Sequence, residues 1–474
     1  MYSPRRRFIR NATIAAAGFY IVPRHVLGRG QVAPSDKLNI AGIGAGGKAE
    51  VNLPFAYNNG SDNIVALCDV DDRRAVKARQ MWPKAPYYKD FRQMLEKEQK
   101  NIDAVIITTP DHMHAVMAMA AMQMGKHVYL EKPLTHDIYE ARQLTKAAAR
   151  YKVVTQMGNQ GSSGDDTRNI ETWIQAGVIG EVKKVHVWTN RPTWPQGVIA
   201  PAGQFNVPPE LDWNLWLGTA PERAYNPAFL PSIWRGWSDF GTGSLGDMGC
   251  HFIDVPYRAL KLGYPISVEC NVGSVYTGYF QQSISTDSYP PSSVTYIDFP
   301  PRDAMPPVQM IWYDGGMRPP RPAELGPEDP MGEEDGGIIF EGSKGKLMAG
   351  LFGRKPTLLP LSKMTETSLP KSAYPYVEKG VDGHQQQWVK ACKKGFGAYT
   401  SSSFDKSGPL TETVLMGNLA VRSYNYAENG TGGNKFFPGR KKLLWDGEKM
   451  RVTNFDPANQ FVQRNYRGDW KLSV

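Results

Sequence analysis

Cysteine is scarce in this chain. The four among 474 residues, Cys68, Cys250, Cys270 and Cys392, are scattered, with no C-x-x-C and no zinc spacing. That pattern argues against a disulfide scaffold or a cysteine-bound metal and predicts buried free thiols. No internal repeat is visible, and beyond the first thirty residues no apolar run is long enough to span a bilayer. A basic face is also missing. The formal net charge is +9, but Arg5, Arg6, Arg7, Arg10, Arg24 and Arg29 fall within residues 1–30, which hold no Lys, Asp or Glu. Without those six the remainder carries +3, which gives no support for nucleic-acid binding. What is present is ordinary globular composition, 41% hydrophobic and 11% aromatic, at a length that suggests two or three domains.

The arginines at the start have their own reading. Arg5, Arg6, Phe8, Ile9 and Arg10 precede an apolar run from Thr13 to Val22, the pattern of a twin-arginine export signal. Residues 1–33 are therefore expected to be a signal peptide and the protein periplasmic, with no membrane association once the signal is removed. No Cys precedes Cys68, which argues against a lipid anchor, and no clean A-x-A site stands between Val22 and Asp36 to mark the cut.

Lys37 to Gly47 reads as a short buried strand entering a glycine turn, with Gly42, Gly44 and Gly47 fitting G-x-G-x-x-G. Such glycines allow a tight turn, close approach of backbone to a pyrophosphate and close packing of the next helix. Gly42, Ile43, Gly44 and Gly47 are accordingly the expected cofactor contacts of the loop. A helix over Lys48–Tyr57 follows, with Pro54 expected in or just after its first turn or else to kink it, and then a strand over Asn63–Cys68. That strand ends in Asp69, 22 residues beyond Gly47, where a carboxylate meets the adenosine ribose hydroxyls, although a helix N-cap would use the same residue. Asp69 favours NAD, while Arg73 and Arg74 leave NADP open.

Helices are expected over Asp72–Met81, Asp90–Lys97, Ala115–Met124 and Asp137–Arg150, and strands over Ile102–Thr108, His127–Leu130 and Val153–Met157. No third ligand stands near His112 and His114, so no metal is expected. Beyond residue 158, a helix over Arg168–Ala176 leads to a strand over Val182–Trp188. Thr189–Arg235 reads as irregular and rich in proline and tryptophan. Helical pattern resumes over Leu245–Leu260, where Asp247 and His251 share a face. Strands are expected over Glu269–Tyr279, Ser293–Phe299, Val308–Tyr313, Gly337–Glu341 and Gly345–Gly350, an exposed loop over Met317–Glu334, and helices over Gln385–Lys393 and Leu410–Tyr424. Residues 441–474 have no readable pattern.

The order of motifs resembles the glucose–fructose oxidoreductase, inositol dehydrogenase and MocA (Gfo/Idh/MocA) family. The glycine loop comes first, followed by Thr109, Pro110 and His114 in T-P-x-x-x-H. Gly125, Lys126, His127, Val128, Glu131, Lys132, Pro133 and Leu134 make G-K-H-V-x-x-E-K-P-L, and Gly243, Leu245, Asp247, Gly249 and His251 make G-x-L-x-D-x-G-x-H. The resemblance is specific from Leu38 to about Leu262, and the segments around it are closest to exported bacterial members. It implies an α/β protein: a doubly wound parallel Rossmann domain over 36–158, an α/β domain with a largely antiparallel open sheet over 159–440 that serves substrate and oligomer contacts, and a C-terminal extension over 441–474. A homo-oligomer is implied, as is a cis bond at Pro133.

Hydride transfer to nicotinamide needs a base for a hydroxyl proton and a cation for the developing oxyanion. By resemblance Lys132, Asp247 and His251 are catalytic, and Glu131, Thr109, Pro110 and His114 join the cofactor contacts. Asn159 and Gln160, Trp234 and Arg235 are weaker substrate-binding candidates. The plain alternatives are a solvated strand-end lysine for Lys132, an i, i+4 helix pair for Asp247 and His251, and a salt bridge for Arg235. Three functions are compatible: a periplasmic NAD-dependent oxidoreductase acting on a secondary hydroxyl of a sugar, glycoside or cyclitol; a glycosidase that oxidises C3 transiently; and a non-catalytic sugar-binding protein. Free NAD is not expected outside the cytoplasm, so the dinucleotide should be held tightly.

Overall fold

The computed structural model describes residues 33–283, 285–368, 371–429 and 435–474. The expected signal segment lies outside the described residues except for its last position. Among the described residues no helix is long and apolar enough to cross a membrane, and all four cysteines are free.

The amino-terminal half alternates strand and helix: β1 Asn39–Ile43, α1 Ala49–Tyr57, β2 Asn63–Cys68, α2 Asp72–Met81, β3 Tyr87–Tyr88, α3 Phe91–Lys97, β4 Ala104–Ile107, α4 Asp111–Gln123, β5 His127–Leu130, α5 Ile138–Arg150 and β6 Thr155–Met157. The strands form one parallel sheet in the order β3-β2-β1-β4-β5-β6. Its chain order reverses between β1 and β4, and ligands of open α/β sheets bind outside the carboxyl ends of strands at such a switch point. Local chemistry sets the helix starts. Asp71, Asp90 and Asp137 cap α2, α3 and α5 with their side chains, and Asp137 with Glu140 completes a capping box.

Several expected boundaries shift. α4 starts at Asp111, four residues before the expected Ala115, with Pro110 as its extended N-cap residue, because this helix is buried nearly all round and has no one-sided periodicity to read. Pro54 sits in the interior of α1, past its first turn. β3 was not foreseen. The helical stretch from Leu245 to Leu260 is two helices, Gly243–Phe252 and Asp254–Ala259. The break at Ile253 puts Pro256 in a first turn, where its missing N–H is not needed. The expected strand Glu269–Tyr279 divides into Ser267–Val272 and an exposed hairpin arm, Val275–Gly278.

The second sheet has nine strands, in the order Thr357–Leu359, Gly345–Ala349, Gly336–Gly342, Val182–Thr189, Val308–Tyr313, Ser293–Phe299, Ser267–Val272, Leu443–Asp446 and Arg451–Val452. Every pairing is antiparallel except Val182–Thr189 with Val308–Tyr313. Ser293–Phe299 shows why this sheet has one covered face: Ser293, Thr295, Ile297 and Phe299 are buried and the residues between them are half-exposed. The tail thus supplies two edge strands. Two late helices return to the first sheet: Trp388, Val389 and Cys392 of helix His384–Lys394 join the core around β1 and α1, and helix Phe404–Tyr424 ties to α5 through a buried Arg142–Glu412 ion pair at 2.6 Å.

Candidate functional site

A cleft of about 720 Å³ runs along the carboxyl ends of β5, β4, β1 and β2, at the switch point, and it is lined from Lys132 and His251 at one end to Asp69 and Phe91 at the other. The glycine loop forms its floor. Gly44 has φ +78°, and a Cβ there would lie 2.9 Å from the Thr108 carbonyl carbon, so only glycine fits against β4. Gly42 does the packing: a Cβ on it would press on Leu53 of α1 at 3.0 Å. Gly42 is not part of the cleft wall, whereas Ile43, Gly44, Gly46, Gly47 and Lys48 are. α1 begins directly behind these residues, its first N–H groups, from Ala49 and Glu50, turning back to the Gly46 and Gly47 carbonyls at 3.2 and 3.1 Å, and the positive end of the helix dipole there favours an anion.

Asp69 braces this loop from below. Its Oδ2 accepts the Gly46 N–H at 3.1 Å and its Oδ1 accepts the Asp71 N–H at 3.0 Å. Burial lifts its carboxyl to about 6 against the pull of those two N–H groups. Arg73 and Arg74 both border the cleft, and Arg73 is paired with Asp71, with Nε and Nη2 at 2.8 and 2.7 Å. Glycines without side-chain bulk, the positive end of a helix and a buried carboxylate at the end of the next strand are a set that fits a dinucleotide.

At the other end, Lys132 Nζ donates to Asp247 Oδ1 at 2.6 Å and to the Asp247 carbonyl at 2.8 Å. Arg235 Nε donates to the same Oδ1 at 3.0 Å. Burial would raise the Asp247 carboxyl, but the Lys132 and Arg235 cations override it and hold the group well below the usual carboxylate range. Lys132 arrives from the end of β5, through a cis Lys132–Pro133 bond, and Asp247 and His251 from helix Gly243–Phe252. His251 borders the cleft with its ring 4.9 Å from Phe352, edge to face, and its Nδ1 is buried without a partner. Burial, reinforced by the Lys132 charge, holds this imidazole well below 6.5, so it is neutral. A neutral imidazole and a lysine ammonium thus border one cavity, with Asp247 holding the ammonium from outside the cleft wall.

The other expected site residues divide. Thr109, Pro110, Glu131, Gln160, Trp234 and Arg235 line the cleft. Glu131 accepts from Asn52 Nδ2 at 2.7 Å, and Gly158 lies so close beneath it that a Cβ would sit 2.6 Å from its carboxyl carbon. His114 and Asn159 are not in the cleft wall. The His114 ring lies between the carbonyls of Pro133 and Thr109, 2.8 Å from each, and so joins the loops after β4 and β5. The His112 ring sits between the Trp216 and Phe240 carbonyls. Among the described residues no group of three or more His, Cys, Asp or Glu could hold a metal ion. Asn159 Oδ1 accepts from Ser402, which turns the side chain into the core, and its Nδ2 is buried without a partner. Trp234 belongs to an aromatic cluster in which Trp213 and Trp216 stack at 4.8 Å, and Trp216 and Trp234 present that cluster to the cleft.

Sequence reasoning missed Gly46, Lys48, Asp111, Phe352 and Trp470 as wall residues. Gly46 stands inside the same glycine run and could have been read from it. Trp470 had no signal at all.

Comparison with known proteins places these features in a group. Residues 38–159 match a family model described as an oxidoreductase family, NAD-binding Rossmann fold, and residues 164–276 match that family's C-terminal alpha/beta domain. Over 205 residues the chain is 29% identical to glycosyl hydrolase family 109 protein 1 of Shewanella sp. (strain ANA-3), covering 38% of this chain and 44% of that one. Over 256 residues it is 27% identical to scyllo-inositol 2-dehydrogenase (NADP(+)) IolW of Bacillus subtilis (strain 168), covering 54% and 56%. The matches therefore span about half the length of these relatives. The WlbA dehydrogenase of Bordetella pertussis, solved with NADH and UDP-GlcNAcA, shares the fold at a TM-score of 0.54 and 17% identity, over 81% of this chain and 97% of that one.

Proposed function

The chain belongs to the Gfo/Idh/MocA oxidoreductase family, and from that membership we propose that it is an NAD(P)-dependent oxidoreductase acting on a secondary hydroxyl of a sugar, glycoside or cyclitol. The observation that carries this reading is the 2.6 Å contact of Lys132 with Asp247 at the end of the nucleotide cleft that His251 also borders. When bound, the nicotinamide supplies the hydride acceptor. Gly44, Gly46 and Gly47 would hold the pyrophosphate of the dinucleotide and Asp69 its ribose, which favours NAD over NADP. The neutral imidazole of His251 takes the hydroxyl proton, and the Lys132 ammonium steadies the oxygen as it gains negative charge. Asp247, shared with Arg235, keeps that ammonium aimed. Trp234 and Trp216 offer flat apolar walls to a sugar ring.

Twin arginines Arg5 and Arg6 ahead of the apolar run from Thr13 to Val22 support a periplasmic location reached by the twin-arginine route. A protein exported after folding must carry its dinucleotide with it, so the cofactor is resident and regenerated in place or by a second substrate. The second sheet is the surface proposed for self-association.

A panel of sugars and cyclitols added to the purified protein, with absorbance followed at the NADH band, tests the reading; no spectral change with any of them, in protein shown to hold dinucleotide, would count against it. A second reading, hydrolysis through transient C3 oxidation, is favoured by the relatives named glycosyl hydrolase family 109. Release of the leaving group from a chromogenic glycoside without net NADH selects it.

A further inference from the structure

The tail beyond the second sheet crosses back over the first domain. Arg464 Nη2 donates to Glu140 Oε1 at 2.7 Å and to the His112 carbonyl at 2.6 Å, which pins the tail to α5 and α4. Arg467 then reaches the irregular segment that roofs the cleft: Nη1 meets Glu222 at 2.7 Å and Asn214 Oδ1 at 2.8 Å, and Nη2 meets the Asn214 carbonyl at 2.8 Å. That roof is itself joined to the turn after β2, where the Asp212 N–H donates to Val70 and the Asp72 N–H to Glu210, at 2.9 and 3.2 Å. The tail ends its crossing with Trp470, stacked on Phe91 at 6.1 Å with the Arg92 guanidinium 4.5 Å from its ring centre. Trp470 borders the cleft, and its partner Phe91 follows β3, the edge strand beyond β2, with Lys132 on the opposite side of the glycine loop at the end of β5.

We propose that Trp470 and Phe91 form an aromatic wall for the adenine of the dinucleotide, and that the tail is the strap that retains it. The proposal rests on the dinucleotide reading above. With a pyrophosphate on the glycine loop and a ribose on Asp69, the base would continue past Asp69 to where the indole stands. A purine offers a flat apolar face, and aromatic side chains are what such faces pack against. The roof and the tail come from parts of the chain more than two hundred residues apart, and Arg467 ties one to the other.

The experiment measures binding of NAD and of nicotinamide mononucleotide, which lacks adenine, to full-length protein stripped of cofactor. Trp470→Leu, which keeps apolar contact with Phe91, is expected to weaken NAD binding about 5- to 150-fold, the range that loss of one base–aromatic contact gives. Its affinity for the mononucleotide stays at the wild-type value, and Trp470→Phe restores most of the NAD affinity. Equal NAD affinity in wild type and Trp470→Leu overturns the proposal, as does an equal loss for the mononucleotide, which would make the effect structural. Wild-type protein that binds neither NAD nor NADP would instead overturn the cofactor reading itself.

Discussion

Replacing Asp69 by Asn separates the two duties of that side chain. In the ligand-free protein, burial holds the carboxyl at about 6. Against an unfolded value of about 3.9, the difference corresponds to about 3 kcal/mol at pH 7. Because the folded value is the higher one, the cost is absent below about pH 4, grows as pH rises to about 6 and is complete above it, so ligand-free stability falls across that window. Asn escapes this cost, but its single acceptor oxygen cannot serve both the Gly46 and Asp71 N–H groups, a loss of about 1–3 kcal/mol. Stability at pH 7 therefore rises by about 0–2 kcal/mol. Binding behaves differently. Loss of one charged hydrogen bond to the ribose weakens NAD by about 10- to 150-fold. The wild-type dissociation constant for NAD should also climb about tenfold per pH unit below about pH 6, as the acceptor protonates, while that of Asp69→Asn stays flat. Calorimetric titration with NAD from pH 5 to 8 reads both effects. A wild-type constant that does not move over that range, or a variant that binds as tightly and with the same slope, refutes the assignment of Asp69 to the ribose.

Other consequences can be measured directly. Lys132→Met removes the ammonium but leaves Asp247 paired with Arg235, so kcat should fall about 10²- to 10³-fold while bound dinucleotide is unchanged; both are read from the same preparation. Since burial and the Lys132 charge keep His251 neutral, kcat with the cofactor site saturated should show no acidic limb above pH 6, and a limb centred on 6.5 would remove His251 from the role of base. Arg464→Ala strands Glu140 and Asp137 in the interior without their cation, and urea unfolding should register a loss of about 3–5 kcal/mol.

Much of the first domain could be read residue by residue because its signals are local. Asp71, Asp90 and Asp137 announce their helices, and Ile102–Thr108 carries the β-branched run Val105–Thr108 of a strand buried on both faces, although only Ala104–Ile107 is paired. β3 escaped because two tyrosines straight after Pro86 are too few to show alternation, and the start of α4 because a helix buried on all sides has no polar face. The convergence of Lys132 with Asp247 was legible only through the order of motifs, since 115 residues separate them. Asn159 shows the limit of reading by adjacency: it follows β6 directly, yet its acceptor is taken by Ser402. The tail was opaque for a related reason. Arg464 and Trp470 look like solvated charge and stray aromatic until Glu140 and Phe91, more than three hundred residues earlier, are brought beside them.

Helix His384–Lys394 shows that the division of the chain into halves is one of architecture, not of folding. Trp388, fully buried, sits in the same apolar cluster as Ile40, Leu53 and Ile106. Cut free near residue 158, the nucleotide half would leave that cluster open to water and should be sticky and short-lived. During synthesis the earliest strand has to wait for a residue made some three hundred and fifty positions later before its outer face is dry, so the core of the nucleotide half closes only once the helix carrying Trp388 has been made.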